Sequence, residues 1–264
     1  MKRAAATPKQ VDARAFRTRP GTKRGTKSRA VLILHGFLSG RVTVELVEKL
    51  ALEMGLRVEV PALPGHWTRP SDLAGKRWPD WLRAAESALL ALHAETGPVK
   101  LIGHSMGGLL AFYLAALHPR CVDSVLAAAP AFRIVSGLGR AAPWLQFFVP
   151  YLHGKTRYVD AGLREFQPNY RWVPMRALAS LLELEPIVWN ALPAVRAPVW
   201  MLQGDADRTV DNSVAEEGFR RLGPSGSRLI RYPDSAHQLF LDAARDRVRE
   251  DVRLFLAMGA ATPR

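Results

Sequence analysis

A serine between two glycines marks the point where an apolar strand pattern changes into a helix pattern. Residues Gly103-His104-Ser105-Met106-Gly107 fit the G-x-S-x-G spacing, after the short apolar run 99–102 and before an Ala/Leu-rich stretch. At such a strained strand-to-helix turn the serine hydroxyl is lifted clear of its neighbours, and the glycines let adjacent backbone approach. The helix that follows directs N–H groups and the positive end of its dipole at the same point. We therefore expect Ser105 to be a nucleophile, provided that a base and an acid follow.

A histidine and a carboxylate further along the chain could complete a catalytic triad. His237 is the only histidine after His153, and from a loop after the last strand it could take the serine proton and return it to the leaving group. Asp205, Asp207 and Asp234 could each orient its ring. We favour Asp207, a few residues past a strand end. Asp205 is close enough to the strand to hold the turn, and Asp234 is too near His237 in sequence to reach Nδ1 easily.

Two backbone N–H groups could stabilise the negative oxygen formed when a carbonyl is attacked. One belongs to Met106, the residue after the serine, and the other lies in the loop His35-Gly36-Phe37-Leu38 after the first strand. We assign the second to Phe37. Each such donor typically contributes about 3 kcal/mol of transition-state stabilisation.

Short apolar strands alternate with helix patterns along most of the chain. The predicted strands are 30–34, 57–60, 99–102, 122–128, 197–202 and 228–232, and the predicted helices are 46–54, 78–92, 106–118, 212–222 and a last one ending near 256. This alternation predicts an α/β fold with a mostly parallel sheet and helices on both faces, in which ligands bind beyond the strand C-termini. Residues 131–196 break the alternation, and we interpret them as an inserted cap with a helix over 175–184.

Aromatic residues cluster in the predicted cap and in one loop of the core. In the cap they either pack it onto the body or form an apolar wall for an acyl chain, and Phe147 and Tyr151 are the candidate substrate contacts. Trp67 follows the loop Leu63-Pro64-Gly65-His66 and either narrows the entrance or packs on the surface.

Composition limits the classes of protein to which the chain can belong. Its 264 residues, 48% of them hydrophobic, are enough for one domain with an insertion. No apolar run approaches the roughly 18 residues of a membrane span, and the single cysteine, Cys121, excludes an internal disulfide and fits a reducing cytoplasm. No histidines have metal-ligand spacing and no glycine pattern fits a nucleotide, so we expect neither a metal nor a cofactor.

Positive charge is concentrated at the N-terminus. The chain has a net charge of +13, of which residues 1–29 contribute +9. We interpret residues 1–27 as a solvated, disordered arm, with contact to an anionic membrane or to nucleic acid as the alternative. No nucleic-acid-binding motif accompanies the arm, so a nucleic-acid function is not expected.

Five short motifs together resemble the serine-hydrolase branch of the α/β-hydrolases, and within it bacterial monoacylglycerol lipases, small carboxylesterases and lysophospholipase-like enzymes. The motifs are Leu-Ile-Leu-His-Gly-Phe (32–37), Leu-Pro-Gly-His (63–66), Gly-His-Ser-Met-Gly-Gly (103–108), Gly-Asp-Ala-Asp (204–207) and Ser-Ala-His (235–237). The Asp-Trp pair at 80–81 and the Leu-Asp pair at 241–242 add to the likeness, which covers roughly 28–258.

The resemblance implies a core of residues 28–130 and 197–258, a cap over 131–196, and cofactor-free cleavage of a small-molecule carboxylic ester. Carried over by position, it implies Ser105 as nucleophile, Asp207 as acid, His237 as base, and Phe37 with Met106 as oxyanion donors. Two alternatives remain open at this point. The same triad serves carbon–carbon bond hydrolases and cofactor-free perhydrolases, and a non-catalytic hydrolase fold could bind a ligand or partner.

Overall fold

The alternating strands and helices that the sequence predicts are present in the structure, a computed structural model that describes residues 30–135, 137–223 and 226–258. The basic arm predicted over 1–27 lies outside the described residues. The strands are β1 (Ala30–Leu34), β2 (Arg57–Glu59), β3 (Val99–His104), β4 (Val122–Ala128), β5 (Tyr151–His153), β6 (Trp172–Pro174), β7 (Val199–Gly204) and β8 (Arg228–Tyr232). The helices are α1 (Glu45–Glu53), α2 (Pro70–Ala74), α3 (Trp78–Thr96), α4 (Met106–Leu117), α5 (Gly137–Arg140), α6 (Ala142–Leu145), α7 (Met175–Ala191), α8 (Asn212–Arg220) and α9 (Arg245–Ala257).

In the described part of the chain, six strands form one parallel sheet in the order β2-β1-β3-β4-β7-β8. Helices cover both faces, as β1 illustrates. Leu32 and Leu34 point into a core shared with α3, α4 and α7, whereas Val31 and Ile33 point into a core shared with α1 and α9. A continuous apolar run is what a strand buried on both faces requires. The predicted mostly parallel sheet is thus confirmed.

Between β4 and β7 lie the elements α5, α6, β5, β6 and α7, in the segment predicted to be the cap. Strands β5 and β6 form a short antiparallel pair with Leu152 opposite Val173. Helix α7 packs on α4 and begins at Met175 as predicted, but it continues through Pro186 to Ala191. It does so because Val188, beyond the proline, is fully buried in the core. The boundaries of the cap at 131 and 196 stay a prediction.

None of the helices in the three described ranges is both long enough and apolar enough to cross a bilayer.

Glu185 is a buried carboxylate on α7 that holds the start of the cap segment. Its Oε1 accepts the backbone N–H of Ile134 at 3.1 Å, and its Oε2 lies 3.7 Å from Nη1 of Arg140. Burial raises the pKa of Glu185 to about 7, although the Ile134 N–H and the arginine oppose this change. The folded chain therefore retains a proton between about pH 4.5 and 7 that the unfolded chain releases.

We expect the contribution of Glu185 to the free energy of unfolding to fall as the pH rises from about 4.5 to 7. Glu185→Gln keeps an acceptor for Ile134 but cannot ionise. The free energy of unfolding of the variant, relative to that of the wild type, should therefore rise by at most about 3 kcal/mol from pH 5 to pH 8. Urea unfolding at both pH values measures the difference. Glu183→Gln, on the exposed side of the same helix, is the control and should show a smaller change. A Glu185→Gln effect that is independent of pH would contradict the expectation.

Candidate active site

Ser105 occupies a strained turn between the end of β3 and the start of α4. Its backbone has φ 54° and ψ −115°, a left-handed region that non-glycine residues rarely adopt. The turn is possible because Gly103 and Gly107 lack side chains. A Cβ on Gly103 would overlap the carbonyl of Gly107, and a Cβ on Gly107 would overlap the carbonyl of Leu34. The sharp turn that the glycine spacing predicts is therefore present.

Three buried side chains from distant parts of the chain form a continuous hydrogen-bonded series. The Ser105 hydroxyl lies 2.9 Å from Nε2 of His237, and Nδ1 of His237 lies 2.7 Å from Oδ2 of Asp207. The other oxygen of Asp207 accepts the N–H groups of Thr209 and Val210 at 2.7 and 3.0 Å. Burial alone would raise the pKa of Asp207, but His237 and these two N–H groups outweigh burial and hold it below its ordinary value. Asp207 is thus an ionised acceptor for the Nδ1–H of His237.

The two other aspartates considered from sequence lie elsewhere. Asp205 pairs with Arg231 on β8 at 2.7 Å, and its backbone N–H donates to the carbonyl of Tyr232 on the same strand at 2.9 Å. Asp234 pairs with Arg247 on the surface. The structure therefore brings Asp207, and neither of the other two, to His237.

His104 holds the backbone of His237 through a hydrogen bond. Its Nε2–H donates to the backbone carbonyl of His237 at 2.9 Å. Burial, and then the neighbouring His237, lower the pKa of His104 to about 3. The ring is therefore neutral, and its proton is used to hold the loop that carries His237.

Two further histidines fix the loop that contains Phe37. His35 accepts the Leu63 N–H on Nε2 at 3.1 Å, and His66 accepts the Leu38 N–H on Nε2 at 3.2 Å. Burial lowers the pKa of His66 to about 4, and burial followed by His66 keeps the pKa of His35 well below its usual range. A neutral imidazole has a nitrogen that can accept a hydrogen bond from these N–H groups, whereas a protonated imidazole has none.

The N–H groups of Phe37 and Met106 have no hydrogen-bond acceptor among the described residues. Met106 is the first residue of α4, where an N–H has no partner within the helix. The Phe37 loop approaches the serine closely, since a Cβ placed on Gly36 would lie 3.3 Å from Cβ of Ser105. Both N–H groups are therefore available to an oxygen next to Ser105.

A cavity of about 440 Å³ opens beside Ser105 and His237, between the sheet and the cap. This volume is in the range of about 300–1,000 Å³ that is typical of small-molecule sites. Part of the lining is apolar and comes mainly from the cap: Ile134, Leu152, Val173, Leu178, Leu181 and Val210.

The three predicted substrate contacts are not among the residues that line this cavity. Phe147 is 76% exposed because it follows the short helix α6 on the outer surface of the cap. Tyr151 is half-buried beside Leu152, which does line the cavity. Trp67 packs its ring on His35, with the centroids 5.1 Å apart, and under the guanidinium of Arg41. Aromatic clustering in the sequence indicates a cap but not which rings face inward.

Asp242 is a buried residue near the site. In the sequence, the only signal of its position is the Leu-Asp pair at 241–242. Its carboxylate is fully buried and accepts N–H bonds from Val159 at 2.9 Å, from Asp160 at 2.8 Å and from Ala236 at 2.6 Å. The first two donors belong to the cap segment, and Ala236 directly precedes His237. One carboxylate thus ties the cap to the histidine loop.

In the part of the chain that the structure describes, no group of three or more His, Cys, Asp or Glu side chains is placed to hold a metal ion.

Comparison with known proteins places this geometry in a family. Residues 26–244 match the model of the family described as serine aminopeptidase, S33. The chain is 25% identical over 232 residues to a carboxylesterase of Bacillus subtilis, covering 86% of this chain and 92% of that protein. It is 25% identical over 240 residues to a thermostable monoacylglycerol lipase of Bacillus sp. strain H-257, covering 87% and 91%.

A similar solved structure comes from work on LipS and LipT, described as two metagenome-derived lipolytic enzymes. It has a TM-score of 0.81 and 24% sequence identity, and the match covers 87% of this chain and 94% of that one. At this level of identity the likeness shows a shared fold.

Proposed function

Because the chain belongs to the serine aminopeptidase S33 family and is a carboxylic ester hydrolase of the α/β-hydrolase fold, we propose that Ser105, His237 and Asp207 are its catalytic triad. The observation on which this rests is the hydrogen-bonded series from the Ser105 hydroxyl through both nitrogens of His237 to Asp207. A hydroxyl is a weak nucleophile at neutral pH, and an adjacent oriented imidazole is what activates it.

Acylation begins when Oγ of Ser105 attacks the ester carbonyl carbon and Nε2 of His237 takes the hydroxyl proton. The carbonyl oxygen becomes negative and accepts the N–H groups of Phe37 and Met106. Asp207 holds the ring in the required tautomer and stabilises the imidazolium. His237 then gives its proton to the leaving alcohol oxygen as the C–O bond breaks, and the acyl group remains on Ser105.

Deacylation repeats these steps with water. His237 removes a proton from a water molecule that attacks the acyl carbon, and the same two N–H groups stabilise the second tetrahedral oxyanion. Return of the proton to Ser105 releases a carboxylic acid and restores the free enzyme.

The proposed substrates are monoacylglycerols or other esters with short to medium acyl chains. The apolar lining by Leu152, Val173, Leu178 and Leu181 suits an alkyl chain, and one of the similar proteins is a monoacylglycerol lipase.

A fluorophosphonate probe and a series of p-nitrophenyl esters test the proposal. The probe should label the wild-type protein stoichiometrically at Ser105, and kcat/KM should pass through a maximum at a short or medium acyl chain. A folded protein that stays unlabelled and hydrolyses no ester would overturn the proposed mechanism. Turnover of a diketone, or peroxide-dependent halogenation, that exceeds ester hydrolysis would overturn the proposed substrate class.

Loss of the Asp242 charge is expected to weaken both the fold and the placement of His237. Asp242→Asn presents an NH2 group to N–H donors from Val159, Asp160 and Ala236, so at least one of them loses its acceptor. We expect the free energy of unfolding to fall by about 2 kcal/mol. We also expect slower fluorophosphonate labelling at a temperature where the variant is fully folded.

The matched control for Asp242→Asn is Asp246→Asn, four residues later, whose side chain is 93% exposed. It should change stability by less than about 0.5 kcal/mol and leave the labelling rate unaltered. If Asp242→Asn loses stability but labels at the wild-type rate, its proposed effect on His237 is wrong.

A further inference from the structure

We propose that the ester accepted at this site carries an anionic group, a carboxylate or a phosphate, apart from the bond that is cleaved. The inference rests on the proposed function, since it concerns the cavity that holds Ser105. Three cationic side chains line that cavity, Lys155 and Arg157 from the cap and Arg208 from the loop after β7. The described residues that line it include no aspartate or glutamate.

None of these three cations forms an ion pair with a carboxylate of the described residues. Other arginines that lie close in sequence to the site loops are paired: Arg133 lies 3.1 Å from Asp211, and Arg231 lies 2.7 Å from Asp205. The three cationic side chains that line the cavity thus have no carboxylate partner among the described residues, and a ligand could supply the counter-charge.

The proposed triad does not neutralise these cations. The side chain of Asp207 is fully buried, with 0% exposed, and its two oxygens are engaged by His237 and by the N–H groups of Thr209 and Val210. Both oxygens are therefore occupied within the protein and are not available to pair with the three cations. A ligand in the cavity meets three cationic side chains and no carboxylate among the described lining residues.

The backbone that carries the cations is held in place. Between Lys155 and Arg157, the Thr156 N–H donates to Oε1 of Gln167 at 3.1 Å, and the Thr156 hydroxyl accepts from Nε2 of Gln167 at 2.8 Å. Asn169 donates to the same hydroxyl at 3.2 Å. On the other side, Asp207 accepts the N–H that directly follows Arg208. The backbone of the cap and of the β7 loop therefore holds these residues on two sides of the cavity.

All three cationic residues are exposed to solvent, which determines the kind of effect to expect. Attraction between exposed charges is modest for each pair and is screened by salt, with a Debye length of about 8 Å at physiological ionic strength. A cleft that is lined by charges of one sign also raises the local concentration of an oppositely charged substrate. The preference should therefore appear in KM and kcat/KM, and it should weaken as salt is added.

Two pairs of esters that differ in charge test the inference. Monomethyl adipate is compared with dimethyl adipate for a carboxylate, and 1-butyrylglycerol 3-phosphate with 1-butyrylglycerol for a phosphate. We expect the wild type to prefer the charged member of at least one pair by about tenfold in kcat/KM at low salt. The pair that shows the preference identifies the group.

Removal of the cations should abolish this preference selectively. In Lys155→Gln/Arg157→Gln/Arg208→Gln, kcat/KM for the charged ester should fall about tenfold and that for its neutral partner should change by less than about twofold. The control is Arg120→Gln/Arg164→Gln/Arg176→Gln, which removes three exposed charges that do not line the cavity. It should keep the preference.

Two results overturn the inference in distinguishable ways. If the wild type hydrolyses the neutral esters with no preference for either charged partner, or if the triple variant loses both members of a pair equally, the anionic substrate is wrong and the proposed triad stands. If no ester is hydrolysed and fluorophosphonate does not label Ser105, the proposed function itself fails, and the inference fails with it.

Discussion

Replacement of Ser105 by alanine should lower kcat for p-nitrophenyl butyrate by at least about 10⁴-fold and abolish fluorophosphonate labelling. The reason is that no acyl-enzyme can form without Oγ, and His237 then has no hydroxyl to activate. Some acceleration over water should remain, because the N–H groups of Phe37 and Met106 still stabilise a tetrahedral oxyanion. Initial rates, together with mass spectrometry of the probe adduct, measure both effects.

A second serine in the same cavity provides the control. Ser39 also lines the cavity and is buried, but its hydroxyl is not bonded to His237. The Ser39→Ala variant should therefore still be labelled by fluorophosphonate, and its kcat/KM should fall by less than about tenfold. Equal losses in Ser39→Ala and Ser105→Ala would show that the assay reports on the integrity of the cavity, and the assignment of the nucleophile would then fail.

Replacement of Asp207 by asparagine should lower kcat by about 10⁴-fold while the fold is retained. An amide cannot stabilise the imidazolium, and it favours the tautomer of His237 that donates toward Ser105 instead of accepting its proton. KM should change much less, because the Asp207 side chain has no exposed surface with which to contact substrate. Steady-state kinetics, with circular dichroism as a check of folding, provide the measurement.

The choice between neighbouring carboxylates is tested by Asp205→Asn. Asp205 lies two residues earlier but pairs with Arg231, so its loss should change kcat by less than about threefold. A large loss of activity in Asp205→Asn, with little loss in Asp207→Asn, would reverse the assignment of the acid.

The bounds of three strands were predicted correctly from the sequence. Ala30–Leu34, Val122–Ala128 and Arg228–Tyr232 have the bounds that their residue pattern indicates. For Ala30–Leu34 the cause is clear, because every residue in it is buried and the apolar run begins and ends with the strand. The chain order of Ser105, Asp207 and His237 likewise predicted side chains that would meet, and the structure places them within hydrogen-bond distance.

The cap was predictable as an interruption but not in its detail. The pair β5–β6 has three residues in each strand, too few for a period of two to be recognised, and it is set by contacts between residues that lie 19 to 23 positions apart. The orientation of Phe147 and the burial of Asp242 depend on the same tertiary contacts. Local spacing therefore could not indicate that Phe147 faces solvent or that Asp242 joins the cap to the histidine loop.

The strained turn at Ser105 is built from β3, α4 and the glycine contacts beneath them, and Ala131, the first residue of the cap segment, donates its N–H to the Ser105 carbonyl at 3.3 Å. Substitutions or insertions further along the cap segment can therefore reshape the space around a ligand without moving the hydroxyl. Much of the cavity lining is encoded in a stretch of the gene separate from the one that encodes the nucleophile, so descendants of this chain can diverge in what they cleave while keeping how they cleave it.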